Sequence, residues 1–319
     1  MYCNHEIETM SRDAMIELQT KKLQNMIKWA YEKSPFYKEK MSLIGLNDRS
    51  VKTLDDLKKF PFTTREDLFV NSPFGFLAVP LSSTIRMRMI GQNRPITKAY
   101  TSGDIGRNVE MTARALVAGG VTMATALQIC EDYTCEHSLG IHYAAEVLGA
   151  TVIPSELAKL DRQWEMIDKF RVTAIASNAQ QMLQLLVAGQ ALNYDLENSS
   201  ISTIFSLNQD TKNSMDEHIA SRFHAKIFNL YSPPEFGASA MMFECNKKAG
   251  LHIQEDYYYP EIVHITDTGD VASGQMGELV LTALAADAMP LIRYRTGQIV
   301  AIDSEPCACG RTFARIKIP

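Results

Sequence analysis

From about residue 109 to residue 230 the chain alternates short apolar runs with amphipathic spans, and this alternation limits the fold more than any single motif. Helical periodicity covers residues 111–119, 139–148, 161–170 and 180–189, while apolar runs at 124–129, 151–154, 173–177, 202–206 and 225–230 read as strands. Strands separated by helical spans of this length are joined by right-handed crossovers, so they lie parallel in one sheet. Ligands of such sheets bind beyond the carboxyl ends of the strands. The segment after the last strand is therefore where chemistry is sought.

That segment, residues 227–261, runs IFNLYSPPEFGASAMMFECNKKAGLHIQEDYYYPE. A strand ending near Tyr231 meets Pro233-Pro234, a break that neither a strand nor a helix interior tolerates. A carboxylate, Glu235, and a turn residue, Gly237, follow directly. Beyond them the texture changes. The runs PEIVHITD, GELVLTAL and GQIVAIDS are punctuated by Gly and read as antiparallel strands of a small β subdomain. Upstream, residues 11–34 carry a helical stripe that stops before Pro35, and capping-box spacings at Thr53 and Thr63 start two short helices. Pro61, Pro73 and Pro80 mark a loop-rich stretch. The expected organisation is an N-terminal helical and loop-rich segment (1–108), a parallel α/β subdomain (109–235) and a small β subdomain (236–319).

Composition excludes several classes. A net charge of −5 without a Lys/Arg cluster argues against a nucleic-acid surface. No apolar run approaches a membrane span, and the polar start MYCNHEIETMSRD is unlike a signal peptide, so the expected setting is the cytoplasm. Six cysteines in a chain of 319 residues then point to metal or thiols rather than disulfides.

Four candidate metal ligands stand out. Cys245 and His252 are spaced Cys-x6-His, and Cys307 and Cys309 form a Cys-x-Cys followed by Gly310. Three thiolates and an imidazole suit a closed tetrahedral zinc shell, although the spacing alone leaves buried cysteines as the alternative. Cys3, Cys130 and Cys135 are scattered and read as thiols. His142 reads as a packed helix histidine, and His137, His218 and His224 as surface or half-buried residues.

With LIRYRTGQ (291–298) and CACGRT (307–312), the chain resembles the phenylacetate–coenzyme A ligase family of adenylate-forming enzymes. The resemblance rests on Tyr231 and Glu235, His252-Ile253-x-Glu255-Asp256, Pro260-Glu261-Ile262, Gly277-Glu278-Leu279-Val280 and Pro290-x-Ile292-Arg293-Tyr294-Arg295-Thr296. Upstream, PFYKEK, FPFTTREDL, NSPFGFLAVP and GIHYAAEVLGATVIP follow in the family's order. It implies the superfamily's large N-terminal domain, a parallel α/β body with a small β subdomain. It further implies ATP or AMP, Mg²⁺ and coenzyme A as ligands, an aryl or acyl acid as substrate, a homodimer, and a structural zinc on Cys245, His252, Cys307 and Cys309. Tyr231 would lie near adenine and Glu235 would contact Mg²⁺.

Against that pattern this chain departs at the nucleotide motifs. The family's Ser/Thr/Gly-rich phosphate loop corresponds to residues 88–95, Arg-Met-Ile-Gly-Gln-Asn-Arg-Pro, with no Ser or Thr left and with Met89 and Ile90 in place of small residues. The adenine-side carboxylate is replaced within Ser206-Leu207-Asn208, Ser232 stands for a Gly, and Gln298 stands for the ribose-binding Asp. TSGDIGRN (101–108) has only one Gly-x-x-Gly and reads as a helix start. CGRTFARIKIP closes the sequence, so the mobile lid domain with its catalytic Lys is expected to be absent. The expectation is a homologue without adenylation activity that binds an aryl or acyl ligand or a protein partner. The alternatives are a working ATP-dependent aryl-acid ligase with a substituted site or separate lid chain, and an acyltransferase that uses preformed thioesters.

Overall fold

The structure, a computed structural model, describes residues 1–207, 214–265, 269, 271–272 and 274–318. The chain forms two bodies. One consists of Met1–His5, Asn108–Ser232 and Ala238–His252; the other holds Glu6–Arg107, Pro233–Gly237 and the chain from Ile253 onward.

In the first body five parallel strands run Thr151–Pro154, Ala126–Ile129, Ala174–Ser177, Thr203–Ser206 and Lys226–Tyr231 in spatial order. Helices Glu136–Val147, Leu160–Lys169, Ala179–Ala191 and Ser214–Arg222 form the crossovers. Each expected strand and helix of this region is present, with ends displaced by up to about three residues, as cap geometry outside the apolar pattern would produce, except that the helix expected over 111–119 already begins at Ser102. The inner strands are apolar because both faces are covered, and Ala174–Ser177 is buried at every position, whereas Thr151–Pro154, first in the order given, is buried only at Ile153. At the core, Trp164 stacks 4.9 Å from Tyr194 and 6.0 Å from Phe223, and its indole N–H donates to the Leu185 carbonyl at 2.7 Å. Gly189 lies against that ring, so close that a Cβ there would meet it at 2.3 Å.

The second body contains helix Arg12–Lys33, capped by Ser11, then Pro35–Ser42 and Arg65–Val70. Its antiparallel sheet pairs Tyr258–Val263 with Gly277–Ala283, Gly277–Ala283 with Tyr294–Asp303, and Tyr294–Asp303 with Arg315–Lys317. The first three are the strands expected from the Gly-punctuated runs, except that the end of PEIVHITD lies outside the described residues, while Arg315–Lys317 is a further strand not expected from the sequence.

Two sequence expectations are corrected in this body. The second capping box sits one residue later, at Thr64 and Asp67. Thr63 is instead extended and buried, its N–H donating to the Arg293 carbonyl at 2.9 Å and its hydroxyl to the Ile292 carbonyl at 2.7 Å. The second correction concerns residues 86–100, where a hairpin pairs Arg86–Ile90 with Ile96–Tyr100 in the segment read as loop. Its first strand, RMRMI, alternates charged with apolar residues over only five positions, with Met87 and Met89 on the exposed side, so no apolar face announces it. TSGDIGRN opens helix Ser102–Ala118 as expected, with the Asp104 carboxylate accepting the Thr101 N–H at 2.9 Å. Among the described residues, no helix is long and apolar enough to cross a membrane.

Candidate nucleotide and metal sites

Glu235 sits in the single turn Pro234–Phe236, which ends at Gly237 in the left-handed region (φ 62°). A side chain at Gly237 would be strained twice over, because its Cβ would also lie 2.3 Å from the Tyr100 hydroxyl. The turn is anchored by Phe236, whose ring packs edge-on against Tyr258 and Tyr294 at 5.6 and 5.7 Å. Glu235 is thereby fixed and 8% exposed.

The Glu235 carboxylate is bound by the guanidinium of Arg65, the first residue of helix Arg65–Val70. Tyr294 shares the group. Burial, and then the charge and hydrogen bond of Glu235, push its phenol well above the ordinary tyrosine range. The other face of the Arg65 guanidinium closes on the hairpin turn, where a Cβ on Gly91 (φ 91°) would meet Nη2 at 2.7 Å.

That turn, residues 91–95, lies within the segment 88–95 compared above with the family's phosphate loop, and side chains tie it to helix Arg65–Val70. Arg94 pairs with Glu66 at 2.6 Å and lies 4.1 Å over the Phe69 ring, while the Thr97 N–H donates to the Ser72 hydroxyl at 3.2 Å. Met89, 72% exposed, lies in the strand leading into the turn.

The remaining nucleotide positions divide between the bodies. Tyr231 is buried at the end of strand Lys226–Tyr231 in the first body, with Glu235 in the second. Ser232 is committed structurally, its hydroxyl accepting the Met241 N–H at 2.8 Å. Gln298 follows Gly297 in strand Tyr294–Asp303, where the Gln298 N–H donates to the Thr296 hydroxyl at 3.2 Å. Ser206 hydrogen-bonds to Asp216 at 2.7 Å, whereas Asn208 lies outside the described residues.

Both pairs of candidate metal ligands are assembled, each within its own body. The ligand atoms of Cys245 and His252 approach within 4.8 Å, as do those of Cys307 and Cys309. Cys245, Cys307 and His252 are buried, and Cys309 is partly exposed. Two of the sulfurs accept hydrogen bonds. Cys245 Sγ accepts the Lys247 N–H at 3.5 Å, and Cys309 Sγ accepts from Arg311 Nη1 at 3.7 Å. Gly310, with φ 91°, makes the tight turn after the second pair. This donor set fits a thiophilic ion.

Segment 140–154 builds a separate polar group. His142 lies 3.2 Å from the Tyr133 hydroxyl through Nδ1 and 3.1 Å from Glu146 through Nε2, as a half-buried helix residue rather than a packed one. Burial pushes Tyr133 up to about 12. His137 is buried, contrary to expectation, because the second residue of helix Glu136–Val147 faces inward with Glu136. His218 and His224 are exposed.

Arg65 was visible in sequence only as part of a capping motif; nothing in the pattern linked it to a carboxylate 170 residues away. The same holds for Glu8, whose carboxylate meets Arg311.

Comparison with known proteins adds the following. No family profile matches the chain. It is 31% identical over 316 residues to a phenylacetate–coenzyme A ligase of Thermus thermophilus, covering 98% of this chain and 71% of that protein. Against the Escherichia coli phenylacetate–coenzyme A ligase the identity is 33% over 302 residues, with 93% and 69% covered. By structure, it superimposes on 2-hydroxyisobutyryl-CoA ligase, solved in complex with 2-HIB-AMP and CoA, with a TM-score of 0.90 at 21% identity, over 98% of this chain and 75% of that one. A long-chain fatty-acid–CoA ligase from Archaeoglobus fulgidus matches with a TM-score of 0.56 at 12% identity, covering 73% and 50%. These likenesses establish the fold of the adenylate-forming CoA ligases.

Proposed function

This chain belongs to the phenylacetate–coenzyme A ligase family, and we propose that it binds an aryl or acyl ligand without activating it with ATP. The relatives are named for the complete reaction, so the loss is argued from this chain's own residues. The observation that carries it is segment 88–95, where a hairpin turn with no Ser or Thr stands for the family's hydroxyl-rich phosphate loop. The resemblance implies that Glu235 would face Mg²⁺, and here it also pairs with Arg65, whose side chain is 42% exposed.

Further features support the same reading. Within segment 88–95, Arg94 and Gly91 are engaged by helix Arg65–Val70. Catalysis of phosphoryl or adenylyl transfer rests on donors aimed at the developing charge, and loss of one such donor costs about 10²–10³ in rate. Gln298 replaces a carboxylate that would accept from both ribose hydroxyls, removing a charge-assisted pair. Segment 140–154, by contrast, keeps the family's sequence where the resemblance implies the acyl pocket. Calorimetric titration tests this directly. Phenylacetate or phenylacetyl–coenzyme A should bind, and ATP with Mg²⁺ should give no heat above dilution. ATP binding that is lost in Glu235→Gln would reverse the reading.

The second element of the reading is zinc. The chain holds one zinc ion through Cys245, His252, Cys307 and Cys309, an assignment supported by the donor chemistry and by the assembly of each pair. Zinc would serve folding, as a closed four-ligand shell leaves no position for substrate. Metal analysis of reduced protein should find about one zinc per chain, as one closed shell holds one ion, and Cys307→Ser should lose it.

A further inference from the structure

We propose that the buried ion pair Glu8–Arg311 is a positioning device for the Cys309 thiolate, tying the N-terminal segment to metal retention. The proposal rests on the zinc reading above. Arg311 and Glu8 have side chains only 3% and 0% exposed, and Arg311 Nε donates to Glu8 Oε2 at 2.6 Å. Burying two opposite charges gives little or no net stability compared with packed apolar residues, so the pair calls for a role in geometry.

The geometry supplies one. Arg311 spends its guanidinium in two directions, Nε on the carboxylate and Nη1 on Cys309 Sγ at 3.7 Å. Its backbone carbonyl also accepts the Cys307 N–H at 3.1 Å, while the Gly310 N–H donates to the Cys307 carbonyl at 2.8 Å. One residue therefore closes the turn that carries both sulfurs and contacts one of them. Glu8 is held in turn, because its carbonyl accepts the Thr312 N–H at 3.0 Å and the Thr312 hydroxyl donates to the Met10 carbonyl at 2.6 Å. Residues 8–10 and 311–312 are laced together by main chain and side chain alike.

Charge makes the same point. Three thiolates and a neutral imidazole around a divalent ion leave the shell one unit negative, and a guanidinium at one sulfur offsets it. Partners that orient a ligand from outside the shell commonly change metal affinity by 10- to 100-fold. Arg is suited to this and Lys is not, since only the planar fork reaches carboxylate and sulfur together.

Zinc retention is the readout. Zinc-loaded protein would be titrated with a chromogenic chelator, and the sulfur-to-metal charge-transfer band would be recorded after Co²⁺ substitution. Arg311→Lys should weaken zinc roughly 10-fold or more and shift the Co²⁺ band. Should that variant fold poorly, the apolar replacement Glu8→Leu/Arg311→Met keeps the volume buried and should show the same loss with unchanged far-UV circular dichroism. Wild-type affinity and band in either folded variant would overturn the positioning role. Wild-type protein without zinc would overturn the parent zinc reading, and this inference with it.

Discussion

The Arg65 guanidinium occupies the Glu235 carboxylate from within the same body, and Tyr294 hydrogen-bonds into the same group. Glu235 is nearly buried while Arg65 is 42% exposed on its side chain, so the pair is half screened and its worth lies mainly in not leaving a buried carboxylate alone. Arg65→Ala should therefore destabilise by about 1–3 kcal/mol, the cost of an unsatisfied buried acceptor. The double variant Arg65→Ala/Glu235→Gln should recover part of that loss. Denaturant unfolding of the four proteins measures the coupling, and strictly additive losses would show that the two residues do not act as a pair.

Asp104 sets an acid limit on stability. Burial alone would raise its carboxyl, but the N–H groups of Thr101 and Asp287, the Arg107 guanidinium and the charge of Lys98 outweigh burial and leave it below its ordinary value. A depressed carboxyl contributes stability that is complete above its unfolded pKa of about 3.9 and is lost as pH falls through the folded value. Asp104→Asn should lower the melting temperature near neutral pH and flatten the fall in stability below about pH 4. Melting curves from pH 7 to pH 3 check this, and parallel curves for the two proteins would contradict it.

Gly189 is a packing constraint. Alanine favours a helix interior by about 1 kcal/mol over glycine. Here, however, the Cβ would enter the face of Trp164, which is 1% exposed between Tyr194 and Phe223. With no room for the indole to yield, Gly189→Ala should be net destabilising by about 1–3 kcal/mol. A stabilised variant would mean that the ring can move.

The inner parallel strands were legible because both their faces are covered, so a run such as 173–177 is small and mostly apolar between turn signals. The Arg86–Ile90 strand was not, since its face carries Arg86 and Arg88 opposite Tyr100 and Lys98 and its period of two is written in charge. Cys245, His252, Cys307 and Cys309 could be singled out because residue type announces ligand chemistry. Arg65 and Glu8 could not, because their roles depend on partners hundreds of positions away or nearly so, and surface-like residue types give no sign of it. The capping box at Thr64 was misplaced by one because Thr63 and Thr64 both fit the spacing, and only the strand-like contacts of Thr63 with Arg293 and Arg295 distinguish them.

An acyl ligand should be detectable without chemistry. If segment 140–154 still forms an apolar site, aryl acids or their thioesters should raise the melting temperature as ligand exceeds its dissociation constant, by about 2.7 kcal/mol of stabilisation at a hundredfold excess. A flat response across phenylacetate, benzoate and phenylacetyl–coenzyme A would point to a protein partner instead.

The central claim is that this chain does not adenylate carboxylic acids, and acid-dependent exchange of labelled pyrophosphate into ATP measures that step alone. With Mg²⁺ and a panel of aryl and short alkyl acids, the purified chain should give no exchange above the acid-free background. Gln298→Asp should not restore it, because one ribose contact cannot replace the hydroxyls missing from residues 88–95 or displace Arg65 from Glu235. Exchange that depends on the acid and disappears in Glu235→Gln would contradict the account and identify the chain as a working ligase.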